Sequence, residues 1–194
     1  MSDAVRCESP VADRALGLAA ANEIQMRDVT LSERPFLGHI NLRGDPASAA
    51  FSDATSQVLG CALPLQANTF VGTDKFRVCW MGPDEWLLNC AGERERESAA
   101  ALSAACAGLF AAVTELGSGQ TVLTLRGARA REVLAQGCAL DFHPRVFAPG
   151  QCAQSQIARA SALILQVDAA PAFEIVVRRS FAAYLWLWLR DAAA

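Results

Sequence analysis

A chain of 194 residues can hold one large core or two small fused ones, and 53% hydrophobic against 19% charged residues is an apolar balance for a protein in water. A net charge of -3, with pI near 5.4, offers no basic field to a polyanion and argues against nucleic acid as partner. The longest apolar run, Phe181 to Leu189, falls far short of the ~18 residues that span a bilayer, so a membrane-integral class does not fit.

Residues 1–35 mix charges, proline and alanine without a sustained period and read as an extended arm, with a short helix around Asp13 to Ala21. No apolar stretch with a small-residue cleavage site opens this segment, so a cytoplasmic location is expected. From Phe36 the sequence alternates like a strand through Leu42. Arg43-Gly44-Asp45-Pro46 follows, with Asp45 suited to cap a helix and Pro46 to its first turn. Ala47, Ala50, Phe51, Ala54, Val58 and Leu59 recur at helical spacing, and Gly60 can end that helix. Strand-like runs occupy Thr69–Val71, Phe76–Met81 and Glu85–Leu88, with turns at Thr73-Asp74 and Gly82-Pro83-Asp84. A helix is expected from Glu93 to Phe110, turning Ala101, Cys106, Leu109 and Phe110 inward and its charge run Glu93 to Glu97 outward.

The order then begins again. Thr121, Leu123 and Leu125 alternate as a strand, and Ala130, Val133 and Leu134 mark a helix ending at Gly137. Strands near Ser155–Ala158, Ala162–Val167 and Phe173–Val177 precede a closing helix from Ser180, its expected N-cap, to Arg190. Leu42-Arg43-Gly44 is echoed by Leu125-Arg126-Gly127, and Gly60-Cys61-Ala62-Leu63 by Gly137-Cys138-Ala139-Leu140. These paired echoes imply an α+β fold of two fused split-βαβ, ferredoxin-like halves, 36–117 and 118–194, in one compact unit.

Reactive constellations are scarce. The seven cysteines are scattered, without a C-x-x-C pair, and read as reduced core thiols. His39 reads as an exposed or core-edge strand residue, while Cys138, Asp141 and His143 share one loop without a recognised zinc or nucleophile spacing. Gly117-Ser118-Gly119 precedes a strand instead of opening a helix, the wrong order for a dinucleotide loop. No catalytic, cofactor-binding or metal-ligating residue is therefore assigned. Aromatic residues stand out instead. Trp86 follows a tight turn; in the closing helix Phe181, Tyr184, Leu185 and Trp188 occupy one stripe, while Trp186 and Leu187 lie elsewhere around the circumference. Trp86, Tyr184, Trp186 and Trp188 are the candidate subunit-interface residues, because large side chains with a polar tip anchor such contacts. Trp186 is read as facing a partner and Phe181 as packed within the chain.

Gly82-Pro83-Asp84-Glu85-Trp86-Leu87-Leu88, the run Gly150 to Gln154 and the run Arg179 to Leu189 resemble the gamma subunit of heterotetrameric sarcosine oxidase, as does Ser9-Pro10. That family resembles in fold the folate-binding domain of the glycine-cleavage T-protein. The resemblance implies a four-chain oxidase that demethylates sarcosine to glycine, with alpha, beta and delta subunits as partners. FAD, FMN, NAD, tetrahydrofolate and zinc are expected in those partners and none in this chain. Folate-using relatives carry a Lys-x-Cys-Tyr-x-Gly-Gln-Glu signature, whereas the stretch around Cys152 reads Pro149-Gly150-Gln151-Cys152-Ala153-Gln154-Ser155. Two other readings stay open: a stand-alone folate-binding transferase, and the same subunit in an oxidase for another N-methylated amino acid.

Overall fold

The computed structural model describes residues 7–12 and 23–194; the helix expected around Asp13 to Ala21 lies outside them. Among the described residues eleven strands and four α-helices follow in the order β1 (Glu23–Met26), β2 (Val29–Arg34), β3 (Leu37–Gly44), α1 (Ala49–Leu59), β4 (Phe70–Gly72), β5 (Phe76–Gly82), β6 (Glu85–Ala91), α2 (Glu95–Ala105), β7 (Ala111–Glu115), β8 (Gln120–Arg126), α3 (Ala130–Ala135), β9 (Cys152–Ile157), β10 (Ala160–Asp168), β11 (Ala172–Arg178) and α4 (Arg179–Ala193).

The two halves are α+β units with matching strand orders. One sheet runs β4-β5-β6-β3-β7 and the other β1-β2-β8-β11-β10-β9, every pair antiparallel. In each, a strand leads into a helix, a three-stranded meander returns beside that strand, and a second helix follows. Beside β3 the outer place is filled by β7. The equivalent place beside β8 is filled by β2, from the N-terminal stretch that reads locally as an arm. Residues 23–34 are thus a sheet hairpin: β1 pairs with β2, and β2 is fixed by partners about ninety positions away, such as Leu31 opposite Leu125.

Alternation sorts the side chains of each strand onto two apolar layers, because successive residues point to opposite faces. In β6, Trp86, Leu88 and Cys90 pack under α1 and α2, while Leu87 faces the other sheet. In β10, Ala162 and Ile164 pack under α3 and α4, while Leu163 and Leu165 face inward. The result is four layers: helices, sheet, sheet, helices. The two sheets are stitched at one corner, where the Phe70 N–H donates to Gly150 C=O at 2.9 Å and the Cys152 N–H to Asn68 C=O at 2.8 Å.

Local details depart from expectation for physical reasons. Ser48 caps α1, its Oγ accepting the Phe51 N–H at 3.3 Å; Asp45 accepts the Ala47 N–H at 2.9 Å and shapes the preceding turn. Gly60 ends α1 with φ 72°, as expected. α2 stops at Ala105, before Gly108 at φ 80°, and its inward face is Ala99, Leu102 and Cys106. Ala101 therefore points out, and Phe110, expected inside, is 98% exposed. Ser180 lies in the first turn of α4; the cap position belongs to Arg178, which makes no side-chain capping bond. The echoed glycines mark close approaches: a Cβ on Gly44 would sit 2.3 Å from the Phe51 ring, and one on Gly127 1.9 Å from Asp28 C=O.

Candidate functional site

The buried stripe of α4 consists of Ala182, Leu185, Trp186, Leu189 and Ala193, at helical spacing and facing β8, β11 and β2. Trp186 is therefore fully enclosed, whereas Phe181, about a quarter-turn from the stripe, and Tyr184, nearer the opposite side, keep 41% and 39% of their surface. This reverses the sequence-based assignment of Phe181 and Trp186. With every side of the helix apolar, composition could not choose the stripe. Trp188 is half-buried over the turn at Gly137, where a Cβ would meet its ring at 2.4 Å. Trp86 is also enclosed: its ring lies 6.0 Å from that of Phe51, and its Nε1–H donates to Pro64 C=O at 2.9 Å. Of the four candidate interface residues, Trp86 and Trp186 have no surface for a partner; Tyr184 and Trp188 do.

A polar layer crosses the seam between the sheets. From β11, Glu174, only 3% exposed, accepts from Arg34 of β2 at 2.7 Å and from Arg77 of β5 in the other sheet. Arg77 also lies over the Phe70 ring, 5.4 Å from its centroid. One carboxylate thus clamps a cation from each sheet. Beside it, His39 is wholly buried and not at the core edge. Its Nδ1 lies 3.0 Å from Asn89 Oδ1, which assigns the proton to Nδ1. Its Nε2 and the Asn89 Nδ2 have no hydrogen-bond partner among the described residues. Burial holds the His39 imidazole below its ordinary value of 6.5, against the opposing pull of Asn89 and Glu95.

A base whose folded pKa is depressed binds its proton more readily when unfolded, so its neutral form supports folding fully above pH 6.5. That support fades as pH falls below 6.5 and is gone below the folded value. Thermal unfolding of the isolated chain is expected to show this acid loss, up to about 1.4 kcal/mol per pH unit, and His39→Gln is expected to flatten that part of the profile.

The remaining sequence candidates disperse. Glu95, read as part of a solvated face, turns back so that Oε1 accepts the His39 N–H at 3.2 Å and the Gly117 N–H at 2.8 Å. A carboxylate occupies the mouth of the Gly117–Gly119 turn, which does not fit a dinucleotide pyrophosphate. Asp141 accepts the His143 N–H and His143 Nδ1 accepts the Arg145 N–H, so both shape the loop, while Cys138 is buried and lies 3.5 Å from Ser155 Oγ. Among the described residues no three His, Cys, Asp or Glu side chains converge as metal ligands. Burial raises the thiol of Cys152 to about 12 and that of Cys90 to about 11, which makes both poor nucleophiles. The Arg34–Glu174–Arg77 clamp was missed, although Glu174 inside the apolar run Phe173 to Val177 is a readable signal of a buried pair.

A cleft of about 740 Å³ opens between the sheets, lined by amide side chains such as Gln120 and Gln154 over Leu87, Leu163 and Val176. No helix of the described residues is long and apolar enough to cross a membrane.

Residues 43–194 match the model of the family described as sarcosine oxidase, gamma subunit family. The chain is similar to a chain of the heterotetrameric sarcosine oxidase from Corynebacterium sp. U-96 in complex with pyrrole 2-carboxylate, with 30% identity and a TM-score of 0.84 over 96% of this chain and 94% of that one. It is also similar to glycine cleavage system aminomethyltransferase T from Bartonella henselae, at 18% identity and TM-score 0.65 over 84% of this chain and 46% of that one, a likeness of fold alone. No curated protein sequence matches. With the family match and the oxidase likeness together spanning nearly the whole fold, the chain belongs to the sarcosine oxidase gamma subunit family.

Proposed function

We propose that this chain is a non-catalytic, structural subunit of a heterotetrameric sarcosine oxidase, holding together an assembly whose reaction centres lie in its companions. The carrying observation is family membership across residues 43–194, joined to large apolar side chains left on the outside: Phe110, Phe181, Tyr184 and Phe36. The assembly oxidises sarcosine to glycine with O2 and tetrahydrofolate, releasing H2O2 and 5,10-methylenetetrahydrofolate. FAD, FMN, NAD, tetrahydrofolate and zinc belong to the alpha, beta and delta companions, and the assembly works in the cytoplasm.

Co-expression with the three companions tests this directly. The chain is expected to co-purify with flavin-bearing partners, and the lone chain to show no turnover of sarcosine and no heat of binding with tetrahydrofolate. Turnover by the lone chain, or its failure to co-purify, would overturn the reading; folate binding would favour a stand-alone folate protein. Within the complex, the paired substitution Phe181→Asp and Tyr184→Asp is expected to lower the recovered assembly about tenfold, by burying unpaired charge, with the melting temperature of the lone chain held within a few degrees. Size-exclusion chromatography of the co-expressed chains reads the first outcome and calorimetry the second.

A further inference from the structure

Four strands lie at sheet edges, and two are accounted for. β4 and β9 are stitched to one another at the corner through Thr69 and Gln151. β1 directly follows residues 13–22, which lie outside the described residues, so its outer edge carries no assignment. β7 is different: it runs Ala111-Ala112-Val113-Thr114-Glu115 with regular register against β3, without proline, lysine or bulge, the devices that blunt an edge.

Its hydrogen-bonding phase follows from a single contact. The Leu116 N–H donates to His39 C=O at 2.8 Å, and positions 116 and 39 continue the register Glu115 opposite Ile40. In an antiparallel pair, bonded and non-bonded positions alternate. Ala112 and Thr114 therefore spend their backbone groups on β3, while Val113 and Glu115 aim N–H and C=O away from the sheet, as does the Ala111 C=O. Among the described residues none of these outward groups has a backbone partner beyond the sheet. Phe110, 98% exposed, stands at one end of this row. A cleft of about 580 Å³ adjoins it, rimmed by Asp45 and by Asp84, which Arg43 of the same rim already pairs at 3.0 Å, and Glu115 closes the other end.

We propose that the free edge of β7, with Phe110, docks an extended segment of a companion oxidase subunit, which adds a sixth strand to the five-stranded sheet. The row of unpaired backbone groups demands an extended chain. Phe110 demands an apolar residue opposite it. Asp45 at one end and Glu115 at the other, neither in an ion pair among the described residues, favour Lys or Arg flanking that residue. The inference rests on the subunit reading above.

The test uses the co-expressed oxidase. Amide exchange at Val113 and Glu115, fast in the lone chain, is expected to slow at least about tenfold on assembly. Val113→Pro removes an outward N–H while sparing the bonds to β3, and Phe110→Asp places a charge at the anchor. Each is expected to weaken assembly about tenfold or more, with the lone chain's unfolding transition retained. If wild-type chain assembles but Val113 and Glu115 exchange as fast as before, the edge is not the docking strand, while the subunit reading survives. If wild-type chain does not assemble at all, both fall. Slowed exchange in the lone chain at raised concentration would assign the edge to a second copy instead and overturn the companion-strand proposal.

Discussion

Trp86→Ala is expected to destabilise the isolated chain by about 3–5 kcal/mol, a large part of the total stability of a domain of this size. The indole is fully enclosed between α1 and the sheet, and its removal takes away the ring facing Phe51 and leaves a cavity that Gly44, already filled against by the Phe51 ring, cannot collapse into. The same change deprives Pro64 C=O of its Nε1–H donor. Trp86→Phe separates the contributions: it keeps most of the packing and is expected to cost about 1–3 kcal/mol for the unsatisfied carbonyl and residual void. Urea unfolding of the three proteins measures both. If Trp86 anchored a partner, the isolated chain would unfold as wild type and only assembly would suffer, an outcome that would contradict its placement in the core.

The second large effect falls on the seam between the sheets. Glu174→Ala is expected to cost about 2–4 kcal/mol, because it leaves two guanidinium groups facing one another where a carboxylate held them. The figure sits below that of a wholly buried pair, since the side chains of Arg34 and Arg77 retain 45% and 27% of their exposure and recover part of their hydration. Replacing Glu174 with Leu and Arg77 with Met together is expected to restore much of the loss, because an apolar pair of similar volume carries no desolvation cost. Equal stability of Glu174→Ala and wild type would show that the clamp contributes nothing to joining the sheets.

The duplication was legible because its markers are local. Each half repeats a strand, a close-packed glycine, a helix and a second glycine, and the backbone needs those glycines: Gly60 for its left-handed turn, Gly44 and Gly127 for close approach. The meanders were equally readable, since β5–β6 and β10–β11 join neighbours in sequence through short turns. The companion of β8 was not. β2 pairs with a strand about ninety residues later, and nothing in Val29 to Arg34 names that partner. β7 was hidden for another reason: helical spacing continues in the sequence past Cys106, whereas α2 ends at Ala105 and the chain turns through the left-handed Gly108 into the strand.

By itself, then, the sequence determined the class of fold, its twofold repetition and the apolar bias of the chain, all of which rest on short-range pattern and composition, while the family was legible only through the resemblance of its motifs at 82–88, 150–154 and 179–189. Tertiary structure alone decided which aromatics are inside, where the seam charges meet and which sheet edge stays bare. Those outcomes depend on which of several apolar faces packs against a surface distant in sequence. A helix that is greasy all round, such as α4, or a strand covered on both sides, such as β10, carries no local mark of that choice.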